Sequence, residues 1–175
     1  LRFDESNVKQ YSMTIWGDLY PEEYTYKYPK AGEDNSLVDV FFYDLKNNKT
    51  QKIDFENDDC YFPRIYWLPN STDLIVLKLN RLQNKLDFYR CNTQANTKEI
   101  VLSDENKWWL EITDDYYFLE DNKTVIFTSE RDGFNHIYKA EFGQQPVQLT
   151  AGEFEVKHIC AIDFPKKTIF YVSNE

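Results

Sequence analysis

The stretch Thr124-Val125-Ile126-Phe127-Thr128-Ser129-Glu130 decides the fold, because two other segments of the chain repeat its pattern. Its counterparts are Asp73-Leu74-Ile75-Val76-Leu77 and Thr168-Ile169-Phe170-Tyr171-Val172-Ser173-Asn174-Glu175. Along the chain, the apolar cores of these segments are separated by 51 and then by 44 residues. A β-strand unit that returns with this period is typical of β-propeller blades, each of which contains four short strands.

A turn and an outer strand accompany the repeated stretch. Each stretch follows a degenerate aromatic turn, at Trp67-Leu68-Pro69-Asn70-Ser71, at Phe118-Leu119-Glu120-Asp121-Asn122 and, more loosely, at Phe164-Pro165-Lys166-Lys167. The outer strand is predicted at Phe41-Phe42-Tyr43-Asp44, Asp87-Phe88-Tyr89-Arg90 and His136-Ile137-Tyr138-Lys139. The pattern therefore predicts an all-β fold, a partial β-propeller of four-stranded antiparallel blades.

The phase of the repeat divides the chain into blades. We predict a half blade over 1–56 with an arm inserted at 11–36, complete blades over 57–104 and 105–152, and a half blade over 153–175. Two complete and two half blades are too few for a closed ring of about four to eight. The chain is therefore expected to be a fragment of a longer propeller, and to associate when isolated because its sheet edges are open.

Composition agrees with this fold and limits the partners. Aromatic residues make up 17% of the chain and suit a pleated surface. With only 5 Gly, the turns are expected to use Asn, Asp and Lys, as in Lys46-Asn47-Asn48-Lys49. The net charge of −10 disfavours nucleic acid as a partner, because phosphates require Lys and Arg. No apolar run is long enough to predict a membrane span, and no signal peptide is recognisable.

The inserted arm, Tyr11 to Ser36, is unusually aromatic. The alternation Tyr24-Thr25-Tyr26-Lys27-Tyr28 predicts an extended segment, in which aromatic residues two apart share a face. Such a segment packs on another domain or subunit more often than it binds a small ligand. We therefore expect the arm to be a protein-contacting element.

Residue types that could carry chemistry favour structural interpretations. His136 and His158 fall within predicted strands, and no Gly-x-Ser-x-Gly nucleophile motif is present. Cys60, Cys91 and Cys160 lack metal-ligand spacing and are expected to be small buried residues. No catalytic, cofactor-binding or metal-binding residue is predicted in this chain.

Acidic pairs and glycosylation triplets are weaker signals. Glu22-Glu23 could bind an amine, and Asp58-Asp59 or Asp114-Asp115 could suggest calcium, but solvated surface charge is the better interpretation of all three. Glycosylation triplets begin at Asn48, Asn70 and Asn122, in predicted turns where Asn and Thr are common anyway.

Three segments resemble the amino-terminal propeller of the dipeptidyl peptidase IV family, in its bacterial, Bacteroidetes-type members. They are Tyr28-Pro29-Lys30-Ala31-Gly32-Glu33, Ser129-Glu130-Arg131-Asp132-Gly133-Phe134-Asn135-His136-Ile137-Tyr138 and Tyr171-Val172-Ser173-Asn174-Glu175. The resemblance covers essentially the whole chain. It implies a serine exopeptidase that removes Xaa-Pro or Xaa-Ala dipeptides, with a propeller that caps an α/β-hydrolase domain.

The same resemblance implies that this chain carries none of the family's catalytic or amine-binding residues. The family's glutamate pair is expected upstream of Leu1, so Glu22-Glu23 does not match it, and the Ser, Asp and His are expected after Glu175. It further implies that the arm serves subunit association, that the location is periplasmic or secreted, and that the partners are peptides and the hydrolase domain.

Three functional hypotheses follow. The first is a non-catalytic propeller segment of a dipeptidyl-peptidase-IV-like enzyme, which gates substrate access and aids dimerisation. The alternative is a non-enzymatic periplasmic propeller that serves as a binding or scaffold module. A carbohydrate-active propeller is a third option, although no spacing of acids demands it.

Overall fold

The computed structural model describes residues 1–56 and 59–175 of the chain. Throughout these residues the regular elements are β-strands, and the strand pairs whose register is described are antiparallel. The chain divides into two compact units, 1–60 and 61–175. The all-β prediction is therefore confirmed.

The first unit contains two small sheets. β1 pairs with β4, and β4 pairs with β5, while β2 and β3 form a separate pair. The outer strand predicted at Phe41-Phe42-Tyr43-Asp44 lies within β4. The bounds are β1 Arg2–Asp4, β2 Gln10–Ile15, β3 Glu22–Lys27, β4 Leu37–Asp44 and β5 Lys49–Ile53.

The predicted arm is a paired β-hairpin rather than a single extended segment. Met13 of β2 faces Tyr24 of β3, and Tyr11 faces Tyr26. The tyrosines two apart do share a face, since the ring centroids of Tyr24 and Tyr26 are 5.3 Å apart and those of Tyr26 and Tyr28 are 5.9 Å apart. The alternation was interpreted correctly, but the partner strand was missed. We call this element the β2–β3 hairpin.

The second unit contains three sheets. One has the order β10-β9-β8-β6 with β7 also paired to β8, the next has the order β11-β12-β13-β14, and β15 pairs with β16. The assignment of these sheets to blades at the boundaries given above stays a prediction. The bounds are β6 Cys60–Tyr61, β7 Ile65–Trp67, β8 Asp73–Asn80, β9 Lys85–Asn92, β10 Thr97–Glu105, β11 Tyr116–Phe118, β12 Thr124–Ser129, β13 His136–Glu141, β14 Val147–Gln148, β15 Val156–Asp163 and β16 Thr168–Ser173.

The core of the second unit forms around strands β8 and β12. All six residues of β12 are buried, because both faces of the strand are covered. Val125 and Phe127 belong to a cluster that includes Leu77 and Phe88 of the neighbouring sheet. Ile126, on the other face, packs with residues of β13 and β15. Continuous apolar runs of this kind suit strands that are buried on both faces.

The repeated aromatic turns have the same hydrogen-bond pattern. The Leu68 amide donates to the Asp73 carbonyl at 2.9 Å, and the Leu119 amide donates to the Thr124 carbonyl at the same distance. Both turns place a residue in the left-handed region, Ser71 at φ 57° and Asn122 at φ 58°. The turn repeat noticed in the sequence is thus a repeat of backbone geometry.

Other turns confirm that residues besides glycine provide left-handed backbone. Asn48, Asn96 and Lys167 have φ values of 50°, 52° and 53°. Asn tolerates this region because its short polar side chain can bond to the local backbone. Within the part of the chain that the structure describes, no helix is long and apolar enough to cross a membrane.

Candidate functional site

His136 has the structural role that the sequence predicted. Its side chain is fully buried at the start of β13. The ring nitrogens lie 3.1 Å from the Thr150 hydroxyl and 3.1 Å from the Gly152 carbonyl oxygen. The ring of Phe154 contacts the imidazole edge-on, with centroids 5.0 Å apart. With both nitrogens occupied, His136 orders the chain between β14 and β15 and is not presented to a substrate.

The structure corrects the burial predicted for one of the three cysteines. Cys60 and Cys91 are buried as expected, and burial raises the pKa of the Cys91 thiol to about 12. Cys160 is exposed instead, and its sulfur lies 3.4 Å from Nε2 of exposed His158. A register shift between Ile159 and Ala161 leaves Cys160 as the extra residue of a β-bulge, which turns its side chain outward.

The acidic pairs behave differently from one another. Glu22 and Glu23 are exposed at the start of β3, in agreement with solvated charge. Asp114 is also exposed and pairs with Arg64, with Nε 2.5 Å from Oδ1.

Asp115 corrects the prediction of solvated charge. It is buried, accepts the Ile159 amide at 3.2 Å, and has a pKa raised by burial. Asp58 of the Asp58-Asp59 pair lies outside the described residues. In the ranges 1–56 and 59–175, no group of three or more His, Cys, Asp or Glu side chains could hold a metal ion.

The β2–β3 hairpin presents three highly exposed apolar side chains. Trp16, Leu19 and Tyr20 lie between the two strands, with exposed fractions of 78%, 90% and 79%. Met13 and Tyr24, which face each other on the paired strands, are exposed as well. Exposed apolar side chains that form a contiguous patch are a common feature of protein contact sites.

The second unit contains a cavity of about 260 Å³ at the carboxyl end of β12. Its apolar lining comes from Leu86, Leu110, Ile112 and Tyr116, and its polar lining from Asp104, Glu111, Thr113, Thr128, Ser129, Glu130, Asn135 and Lys157. Three sheets therefore contribute residues to one concave site. Polar residues outnumber apolar ones in this lining, so the cavity is more polar than a typical small-molecule site.

One residue that lines this cavity, Asp104, belongs to an ion pair. Oδ1 of buried Asp104 accepts hydrogen bonds from the Arg131 guanidinium at 2.9 Å and from the Ser129 hydroxyl at 3.0 Å. The Arg131 guanidinium also lies over the ring of Tyr138, 4.9 Å from its centroid. Burial raises the pKa of Asp104 although Arg131 and Ser129 oppose this shift.

A second buried network lies at the amino end of β8. Asp73 accepts hydrogen bonds from Arg90 Nε at 2.8 Å, from Asn92 Nδ2 at 2.6 Å and from Asn70 Nδ2 at 3.0 Å. Although burial raises the pKa of Asp73, these bonds lower it below its ordinary value. Sequence inspection missed both networks, because only the strand register brings their members together.

Comparison with known protein families identifies the family of this chain. The family model described as the dipeptidyl peptidase IV (DPP IV) N-terminal region matches residues 1–175. The chain belongs to the dipeptidyl peptidase IV N-terminal region family. This membership confirms the resemblance that the motifs indicated.

Relatives of known name agree with the family. The crystal structure of Porphyromonas gingivalis dipeptidyl peptidase 4 is 36% identical with a TM-score of 0.87, covering 99% of this chain and 25% of that chain. Venom dipeptidyl peptidase 4 of Vespula vulgaris is 28% identical over 193 residues, which are 98% of this chain and 24% of that protein. Probable dipeptidyl-aminopeptidase B of Phaeosphaeria nodorum is 25% identical over 205 residues, covering 100% of this chain and 22% of that protein.

The chain thus spans about a quarter of the length of these dipeptidyl peptidase IV relatives. A β-rich, propeller-like fold is supported by the structural similarity. Activity and partners of the whole protein are treated below as proposals.

Proposed function

We propose that this chain is a non-catalytic propeller segment of a dipeptidyl-peptidase-IV-like serine exopeptidase. The observation that carries the proposal is the family match over residues 1–175. The parent protein would remove Xaa-Pro or Xaa-Ala dipeptides from peptide amino termini. Its periplasmic or secreted location is part of the proposal, in keeping with a relative that occurs in venom.

The segment would form part of a wall that limits access to the hydrolase domain of the same parent chain. A wall of this kind must be rigid if it is to exclude substrates by their size. Strands β8 and β12 suit that role, since nearly all their residues are buried and packed interiors are rigid. Short or unfolded peptide ends would pass such a wall, whereas folded substrates would not.

The β2–β3 hairpin would contribute to dimerisation. Interface cores are enriched in aromatic residues and depleted of charge. Trp16, Leu19 and Tyr20 fit that description, since all three are exposed and close together in sequence. The occupant of this surface would be a second copy of the same protein.

A labelling experiment on the full-length parent tests the proposal. A biotinylated fluorophosphonate, which reacts with activated serines, is added, and the labelled peptide is identified by mass spectrometry. We expect one labelled serine outside residues 1–175, together with release of Xaa-Pro dipeptides from a synthetic peptide. If no serine is labelled and no dipeptide is released, the alternative of a non-enzymatic scaffold module is favoured. A label on a serine within 1–175 would show that this segment is catalytic.

A further inference from the structure

A cysteine and a histidine form an exposed pair on β15. The Sγ atom of Cys160 lies 3.4 Å from Nε2 of His158, and both residues are exposed. An imidazole next to a thiol activates the sulfur as a nucleophile, because the ring nitrogen accepts the thiol proton and leaves a thiolate. The pair therefore brings together the two groups that thiol chemistry requires.

The backbone between these two side chains is held from the neighbouring sheet. The amide of buried Ile159 donates to both carboxylate oxygens of Asp115 at 3.2 Å, and its carbonyl oxygen accepts the Tyr117 hydroxyl at 3.0 Å. Both polar backbone groups of Ile159 are thus fixed by side chains of another sheet. Reactive groups on anchored strands keep a more precise geometry than groups on loops. The contact between His158 and Cys160 is therefore held in place by the fold.

The Asp115 carboxylate also interacts with the imidazole through its charge. Burial raises the pKa of Asp115, and the positive charge of protonated His158 opposes that shift. An opposite charge nearby favours the ionised form of a group. Asp115 therefore supplies a counter-charge for the imidazolium that forms when His158 accepts a proton.

The other two cysteines of the chain lack this combination of properties. Cys60 and Cys91 are both buried. Burial raises the pKa of the Cys91 thiol to about 12, so this thiol stays protonated at neutral pH. Buried thiols in apolar surroundings are inert, because the thiolate is the reactive form. Cys160 is therefore the cysteine of this chain that a dissolved reagent reaches first.

We propose that Cys160 is a modification site for small disulfides, with His158 as the proton acceptor. His158 Nε2 takes the thiol proton, and the thiolate attacks one sulfur of the disulfide. An S–S bond forms between Cys160 and that sulfur, while the original S–S bond breaks and the second sulfur leaves as a thiolate that takes up the proton. Cys160 is oxidised and the departing half is reduced to a thiol, so no further oxidant takes part. The inference goes beyond the proposed function, since no hydrolysis is involved, and small disulfides suit the oxidising location proposed above.

Reaction of the full-length parent with dithiodipyridine, a small neutral disulfide, tests the inference. The released thiopyridone is followed by its absorbance, and peptide mapping by mass spectrometry identifies the modified cysteine. We expect Cys160 to be modified in the native protein at neutral pH, and Cys160→Ser to lose this modification. Cys60 and Cys91 should react at least about a hundredfold more slowly, because a reagent reaches them only after local unfolding.

A matched pair of variants tests the role of the imidazole. His158→Gln keeps a polar side chain but removes the base, and should slow the modification of Cys160 about tenfold at neutral pH. The difference in rate between the wild type and His158→Gln should shrink toward about pH 9, where a thiol ionises without help. Lys157→Gln, which removes an exposed cation from the same strand, is the control and should change the rate by less than about twofold because salt screens exposed charges.

Three results would overturn the inference. If Cys160 stays unmodified in the native parent, the pair is not a modification site. Equal rates in the wild type and His158→Gln at neutral pH would remove the imidazole as proton acceptor. Modification of Cys60 or Cys91 before Cys160 would contradict the difference in accessibility. Release of Xaa-Pro dipeptides by the same preparations reports on the proposed function separately, so that either idea can fail while the other stands.

Discussion

Strands β2 and β12 have the same length, yet they are buried to opposite extents. Five of the six residues of β2 are exposed, whereas all six of β12 are buried. β12 has a partner strand on each side and a packed cluster on each face, while β2 has a single partner strand. Local sequence thus determines that a strand forms, but the neighbouring strands and clusters determine whether it stabilises the fold or remains free to bind.

The largest expected effect is the loss of a core ring from β12. Phe127→Ala should lower the free energy of unfolding by about 3–5 kcal/mol, because a fully buried ring leaves a cavity behind. Met13→Ala on β2 is the matched control and should cost about 0.5 kcal/mol or less. Both changes in the free energy of unfolding are measured in the full-length parent by hydrogen exchange. Mass spectrometry follows the exchange in peptides of β12 and β2. Equal losses of free energy of unfolding at the two positions would contradict the expected difference between β12 and β2.

An intermediate effect is expected for the buried charge of β8. Asp73→Asn should lower the free energy of unfolding by about 3 kcal/mol at neutral pH, because it leaves Arg90 without its carboxylate. The pKa of Asp73 is lower in the folded protein than its ordinary 3.8. Its contribution is therefore complete above about pH 4 and is lost as the pH falls through the lower, folded pKa.

Urea titrations between pH 2 and pH 7 check this expectation. The difference in stability between the wild type and Asp73→Asn should narrow below pH 4. The exposed pair Lys9–Glu33 is the surface counterpart, and Glu33→Gln should change stability far less. If the difference in stability between the wild type and Asp73→Asn stays constant down to pH 2, the pH dependence does not come from the Asp73 carboxylate.

The smallest effect on folding is expected at the tip of the β2–β3 hairpin. Leu19→Ser should leave the melting temperature of the protomer within about 1 °C, since its side chain is 90% exposed. The same change should shift a dimeric parent toward monomer in sedimentation velocity experiments. Leu45→Ser, an equally exposed leucine on the β4–β5 turn, is the control and should leave the dimer intact. An unchanged dimer in Leu19→Ser would remove the hairpin from the interface.

The strands could be predicted from the sequence because their signals are local. Apolar runs such as Leu74–Leu77 and the turns before them lie within a few residues of each other. The pairing of β2 with β3 escaped prediction, because the connection from Trp16 to Pro21 lacks the Asn-Gly or Asp-Gly dipeptide that marks a tight hairpin.

The side-chain networks could not be predicted, because strand register alone brings their members together. Asp104 meets Arg131 across 27 residues of chain, and no local spacing indicates that contact. Cys160 was expected to be buried from its residue type, but a bulge reversed its orientation. Asp115 was expected to be solvated, although it binds the backbone of β15. Long-range partners and irregular backbone are the two causes of these errors.

The Asn70 side chain, which begins one of the glycosylation triplets, is hydrogen-bonded within its own turn. Its Oδ1 accepts the Thr72 and Asp73 amides at 3.0 Å, and its Nδ2 donates to Asp73. The nitrogen to which an oligosaccharyltransferase would attach a sugar is therefore already engaged once the turn has closed. In a host that glycosylates secreted chains, the fraction of chains glycosylated at Asn70 would thus measure whether the turn closes before the transferase attaches a sugar.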